Sequence, residues 1–203
     1  MSEPIGMETM SATPTGRVDL GMHGSLRADS LLYHATGVDN VSEIMAEGII
    51  PSDRRNHLEN LITHVAAEHG IRYPIDRSEC VFLSPLFSQA TGLRTFDEEE
   101  LNQRLRSREA VIIVDAEQIE QDLYLGDDML FGEALALSYK TDDDSHEDVL
   151  RQYAESLTRV RSLGNLSELC CQFHRPEIVI EGGVNPEAIV GCVLDNRYFT
   201  RLF

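Results

Sequence analysis

The segment 31–52, LLYHATGVDNVSEIMAEGIIPS, sets His34 and Thr36 where a short apolar run gives way to polar residues. Directly after them, Asn40 and Glu43 have the spacing of a helix N-cap and its N3 partner. Val41, Ile44 and Met45 fall on one helical face, and Gly48 stands where a helix should stop. A strand that ends in His-x-Thr beside a helix start gathers backbone N–H donors and the positive end of a helix dipole around two polar side chains. That chemistry suits a ribose or a phosphate. Far along the chain, Glu177 opens the apolar run EIVI, which places an acid on a rigid element next to buried surface.

Elements that could hold these residues are legible in the patterning. Residues 56–69 carry Leu58, Leu61, Ile62 and Val65 at helical spacing, with Gly70 to end the helix. Residues 80–83 (CVFL) read as a buried strand ending at Ser84 and Pro85, and 110–114 (AVIIV) as a core strand. Residues 97–106 read as a surface helix with acids in its first turn and arginines in its last. Gly126 and Gly132 interrupt the apolar stretch 123–138, so its type stays open. A helix over about 145–161 carries the stripe Leu150, Tyr153, Ala154, Leu157 and Val160. Residues 177–180 and 189–194 are strands joined through Gly182, Gly183 and Pro186. Short strands and a few helices without strict βαβ alternation predict an α+β fold. Residues 1–29, rich in Met, Ser, Gly, Thr and Pro, read as a flexible leader, and 30–203 as a single domain.

Composition narrows the function classes. Against 35 Asp and Glu stand 17 Lys and Arg, a formal charge of −18, and Lys140 is the sole lysine. Acid excess with arginine in place of lysine points to a halophilic protein, whose self-repulsion salt screens, with an acidic mesophilic protein as the alternative. In such a protein the acidic shell is general, so it does not exclude a nucleic-acid partner. The cysteines (Cys80, Cys170, Cys171, Cys192) form no paired framework and read as buried reduced thiols of a cytoplasmic protein, with a viral origin equally compatible. No apolar run reaches the roughly 20 residues of a membrane span, and no signal peptide is read, so no membrane partner is expected. His57, His64 and His69 are spread too widely for a zinc site, and Cys170, Cys171 and His174 lack a second ligand pair, so no metal is expected. No Gly-x-Gly-x-x-Gly or P-loop is present.

Three islands, YHAT at 33–36, VFLSP at 81–85 and PEIVIEGGVNPEAIVGCVL at 176–194, resemble the ADP-ribosyltransferase fold in order and spacing. In its DNA- and protein-modifying families the first motif reads His-x-Thr, then Asn and a helix, which His34, Thr36 and Asn40 match. The last motif reads Glu, three apolar strand residues, a turn, a Pro-containing segment and an isoleucine, which residues 177–189 match. The resemblance spans about 31–194 and implies split β-sheets around a central cleft with flanking helices.

It also implies a reaction. NAD would be the substrate, ADP-ribose would pass to a macromolecular acceptor, nucleic acid or protein, and nicotinamide would leave. Breaking the nicotinamide–ribose bond builds positive charge on the ribose, which a carboxylate beside it can stabilise. The family register gives that role to Glu177, with Glu181 and Glu187 as neighbouring rivals. His34 would hold the adenosine-side ribose, backbone groups of Ala35 the nicotinamide amide, and Thr36 and Asn40 would complete the first motif. The middle motif departs from the family pattern. Ser84 fills a hydroxyl-type slot, while the ring stacked on nicotinamide would come from Phe82, Phe87 or Phe96. Arg54 or Arg55 would reach the pyrophosphate. Two alternatives accompany this reading: an NAD-dependent RNA 2′-phosphotransferase, which relies on His and arginines rather than a Glu, and a non-catalytic module of the same fold, for example in a virus particle.

Overall fold

The structure, a computed structural model, describes residues 9–10, 30–51, 57–85, 109–139, 145–161, 166–170, 172–194 and 197–200. Among them the strands are β1 (Thr9–Met10), β2 (Leu31–Gly37), β3 (Cys80–Pro85), β4 (Glu109–Asp115), β5 (Leu123–Asp127), β6 (Thr158–Arg159), β7 (Pro176–Glu181), β8 (Ile189–Leu194) and β9 (Arg197–Thr200). The helices are α1 (Val41–Glu47), α2 (His57–Glu68), α3 (Asp128–Ser138), α4 (Ser145–Ser156) and α5 (Leu166–Cys170). The fold is α+β, as the patterning predicts, and the strands named above pair antiparallel. The chain divides into two units: Met1–Ile49, Pro85–Ile119 and Val184–Phe203 form one, and Ile50–Ser84 and Glu120–Gly183 form the other. No helix among the described residues is long and apolar enough to cross a membrane.

The first unit is a sheet in the order β1–β9–β8–β4–β2, every pair antiparallel. Residues Ala110–Val114 of β4 are at most 2 % exposed, as expected of a strand covered on both faces. β2 is buried at Leu31, Leu32 and Tyr33, half-buried from His34 to Thr36 and exposed at Gly37. His34 therefore lies mid-strand rather than at a strand end: pairing with β4 continues through Thr36↔Ala110 to Gly37↔Glu109. Main-chain pairing is indifferent to the polar side chains that suggested a stop. Asn40 departs from expectation in the same region. It sits in αR geometry within a 3-10 turn, Val38–Asn40, and its side chain caps nothing. Its Nδ2 donates instead to Thr36 Oγ1 at 3.2 Å. Thr9–Met10, within the predicted leader, pairs with β9 as a short edge strand.

Gly48 ends α1 as predicted, at φ 93°, with its N–H donating to Ile44 O. A Cβ there would lie 2.2 Å from Val184 O, because Ile49 and Val184 form an antiparallel bridge directly beside it. Both the left-handed backbone and the close approach require glycine.

The second unit holds the antiparallel sheet β3–β7–β5–β6. Its helices α2, α3 and α4 share a core of Leu58, Ile62, Val65, Ala66, Phe131, Ala134, Leu150, Tyr153 and Ala154. The α2 stripe and the Leu150–Tyr153–Ala154 part of the α4 stripe are those the periodicity predicts. α4 stops earlier, however: Val160 is not helical, and its N–H donates to Leu123 O at 2.8 Å. The open stretch 123–138 resolves into β5 followed directly by α3. Asp127 makes that switch, its Oδ1 accepting from Met129 N at 3.2 Å as an N-cap. The same carboxylate accepts from His174 N and Arg175 N, each at 3.1 Å, which ties the approach to β7 onto the start of α3.

Candidate functional site

β7 carries Glu177 at its second residue, followed by Ile178, Val179 and Ile180, all 0 % exposed. Glu177 itself is only 5 % exposed. An ionised carboxylate at that depth must be paired and hydrogen-bonded. Its partners come from two other elements of the second unit. Arg77 Nη1 donates to Glu177 Oε1 at 3.1 Å, and the Tyr153 hydroxyl donates to the same oxygen at 2.7 Å. Arg77 Nη1 also donates to the Tyr153 hydroxyl, which closes the three groups into a triangle.

Local chemistry fixes Arg77. It opens a 3-10 turn, Arg77–Glu79, whose N-cap Asp76 accepts from Ser78 N at 2.9 Å and Ser78 Oγ at 2.6 Å. The turn is tied to the end of β7 by Gly182 N donating to Glu79 O at 2.8 Å. Its guanidinium then lies 3.8 Å from the Phe131 ring centroid, 4.1 Å from that of Phe82 and 5.0 Å from that of Tyr153. Arginine stacks well on aromatic faces because it is planar and weakly hydrated.

Tyr153 reaches Glu177 because Gly126 is opposite it. Gly126 pairs with Glu177 across β5 and β7, and a Cβ on Gly126 would lie 3.2 Å from Leu157 Cδ1 and 3.3 Å from both Cε2 and the hydroxyl of Tyr153. Gly126→Ala should therefore displace a side chain that is 0 % exposed and hydrogen-bonded. A destabilisation of about 1–3 kcal/mol is expected, read by chemical denaturation. Unchanged stability would mean that Tyr153 can retreat freely.

The electrostatics follow from burial. Desolvation raises the Glu177 carboxyl above its ordinary value, and Arg77 and the two hydrogen bonds pull it back only in part, with Asp128 adding to the rise. Desolvation also raises the hydroxyls of Tyr153 and Tyr73, both with Glu177 adding to the rise and Arg77 opposing it. Both hydroxyls therefore stay protonated at neutral pH, and that of Tyr153 donates to Glu177. Burial, then Glu181, pushes the Cys80 thiol up to about 12, and burial pushes Cys192 up to about 11. Neither is poised as a thiolate nucleophile. Cys80, Cys170 and Cys192 are buried, as the sequence predicts.

The two oxygens of Glu177 are not equivalent. Oε1 takes both donors, whereas no hydrogen bond to Oε2 forms among the described residues. The fully buried side-chain polar atoms without a partner there are Tyr73 Oη, Arg77 Nε and His146 Nδ1, and Glu177 Oε2 does not belong to that set.

The sequence-predicted residues fall as follows. Phe82 and Glu177 both belong to this cluster, with one face of the Phe82 ring against Arg77. Ser84 is half-buried on β3, close after Phe82. His34, Ala35, Thr36 and Asn40 belong to the first unit: His34 opposite Ile112, Ala35 opposite Val111, and Thr36 bonded to Asn40. Arg54, with Arg55, Phe87, Phe96 and the helix predicted over 97–106, lies outside the described residues. Neither Arg77 nor Gly126 stands out in the sequence as a site residue, and periodicity marks Tyr153 only as core. A signal existed for Arg77, an arginine directly after a capping aspartate and three residues before an apolar strand. No protein-family model matches the chain, and no curated protein matches it significantly.

Proposed function

We propose that this chain is an NAD-dependent ADP-ribosyltransferase acting on a macromolecular acceptor, nucleic acid or protein, with Glu177 as its catalytic carboxylate. The observation that carries this reading is the asymmetric hold on Glu177, with Oε1 saturated by Arg77 and Tyr153 and Oε2 left without a donor among the described residues. A carboxylate kept only for structure gains by using both oxygens. One fixed by a single oxygen presents the other in a set direction, at no reorganisation cost when charge develops. In the reaction, the bond between the ribose anomeric carbon and the nicotinamide nitrogen breaks, and its electron pair leaves with neutral nicotinamide. Oε2 accepts a hydrogen bond from a ribose hydroxyl and stabilises the positive charge on the sugar. An acceptor nucleophile then bonds to that carbon and loses its proton to solvent or a base.

A second reading, a non-catalytic module of the same fold, is favoured by a different observation. Arg77 is stacked among three rings and ion-paired at 6 % exposure, which also suits an anchor of the core. Incubation of the intact chain with labelled NAD in molar salt separates the two. The first reading expects nicotinamide release and label on lysate macromolecules, with sensitivity to nuclease or protease identifying the acceptor. It also expects stabilisation of about 2.7 kcal/mol when NAD stands at 100 times its Kd. A folded chain that neither shifts its melting temperature with NAD nor releases nicotinamide is the module.

A further inference from the structure

We propose that Tyr153 is a positioning residue for this site: its hydroxyl, donating to Oε1 of Glu177, fixes the carboxylate so that Oε2 is the oxygen presented to substrate. The inference rests on reading Glu177 as the reacting carboxylate, but its geometry stands by itself. Tyr153 is 0 % exposed and comes from α4, whereas Glu177 sits on β7. The ring has little freedom to leave. Phe131 meets it edge-on, with centroids 5.4 Å apart and planes at 62°. The missing Cβ of Gly126 is the space its hydroxyl edge occupies, and Arg77 both overlies the ring and donates to the hydroxyl.

Two donors on one oxygen make the carboxylate directional. Rotating it away from this orientation breaks the bonds from Tyr153 and Arg77 together, in a setting where unpaired buried polar groups are costly. Arg77 alone would hold the charge but leave the rotation softer, because one donor permits swinging about a single contact. The oxygen bearing both bonds is thus the anchor, and the other is the working atom.

The variant Tyr153→Phe keeps the ring, its contact with Phe131 and its stacking with Arg77, and removes only the hydroxyl. With NAD as the probe, kcat should fall about 10- to 100-fold, the scale of misplacing one reacting group, while KM for NAD changes little. The pH response supplies a readout that packing does not move. Among the described residues, the charged and titratable groups acting on Glu177 are Arg77, Tyr73, Cys80, Asp128 and Tyr153. Of these, the Tyr153 hydrogen bond favours the ionised carboxylate. Its loss should move the acid limb of kcat/KM to higher pH, and the titration of a carbon-13 label in the Glu177 carboxyl should move the same way. Tyr139→Phe, at a position 74 % exposed, should match the parent in every measurement. Parent kcat in Tyr153→Phe, or a lower melting temperature with unchanged titration, overturns the proposal. If the parent chain consumes no NAD, the functional reading fails separately, and the carboxyl titration still decides whether the Tyr153 hydroxyl governs Glu177.

Discussion

Replacing Arg77 with methionine should destabilise the folded chain by about 3–5 kcal/mol, because it leaves a buried carboxylate without its counter-charge. The size of the loss should depend on pH, and the sign follows from Glu177. Burial holds that carboxyl above its ordinary value, with Arg77 the main force pulling it down. A group whose folded pKa is raised contributes stability that is fully present below the unfolded value and is lost as pH rises through the folded value. Removing Arg77 raises the folded value further and widens that window upward. Denaturation of Arg77→Met should therefore show a smaller deficit at about pH 5 than at about pH 8, since the protonated carboxyl needs no counter-charge. The double variant Arg77→Met with Glu177→Leu should recover most of the stability at both, because an apolar replacement of a whole buried pair is often neutral. A deficit independent of pH, or a double variant as unstable as the single one, would show that the stacking of Arg77 on Phe82 and Phe131, rather than its charge, supports this core.

What the sequence disclosed and what it concealed divide along the range of the interactions. The α2 stripe at Leu58, Ile62 and Val65 was legible because a helix face is written within a few neighbouring residues. So was the stop at Gly48, where a left-handed turn leaves its mark in residue type. The end of β2 is not legible locally because His34 and Thr36 look like punctuation, while the hydrogen bonds that prolong the strand come from β4, far along the chain. Asn40 had the right residue type for a cap, but its amide turned back to Thr36 once a 3-10 turn took the first helical positions. Glu177 stands out locally as an acid opening an apolar run, whereas its environment does not. Its partners lie 100 residues away at Arg77 and 24 away at Tyr153, and the gap that admits Tyr153 is a glycine on another strand. No local pattern encodes such a triangle. Tyr153 sat correctly on a predicted apolar stripe, but periodicity says that a ring is buried and nothing about where its hydroxyl points.

Glu177→Gln should lower kcat on NAD about 10²- to 10³-fold, comparable to losing one group that stabilises transition-state charge. The change preserves size, and both protein donors can be kept: Arg77 and Tyr153 point at Oε1, so they select the amide orientation with its carbonyl there. The amide nitrogen then takes the place of Oε2. A ribose hydroxyl that donated to the carboxylate now meets another donor, and the developing charge meets no anion. NAD affinity should change much less than turnover, since the interaction is realised chiefly as the glycosidic bond breaks. His34→Ala should show the opposite split, with weakened NAD binding, because the family resemblance gives His34 a hold on the adenosine ribose and not on the reacting bond. Glu181→Gln and Glu187→Gln serve as controls, both exposed, and should be nearly silent. Nicotinamide release measured across these four variants decides the register. Full activity in Glu177→Gln with a dead neighbour would move the catalytic acid along the strand or turn, and full activity in all three glutamine variants would sink the ADP-ribosyl transfer reading.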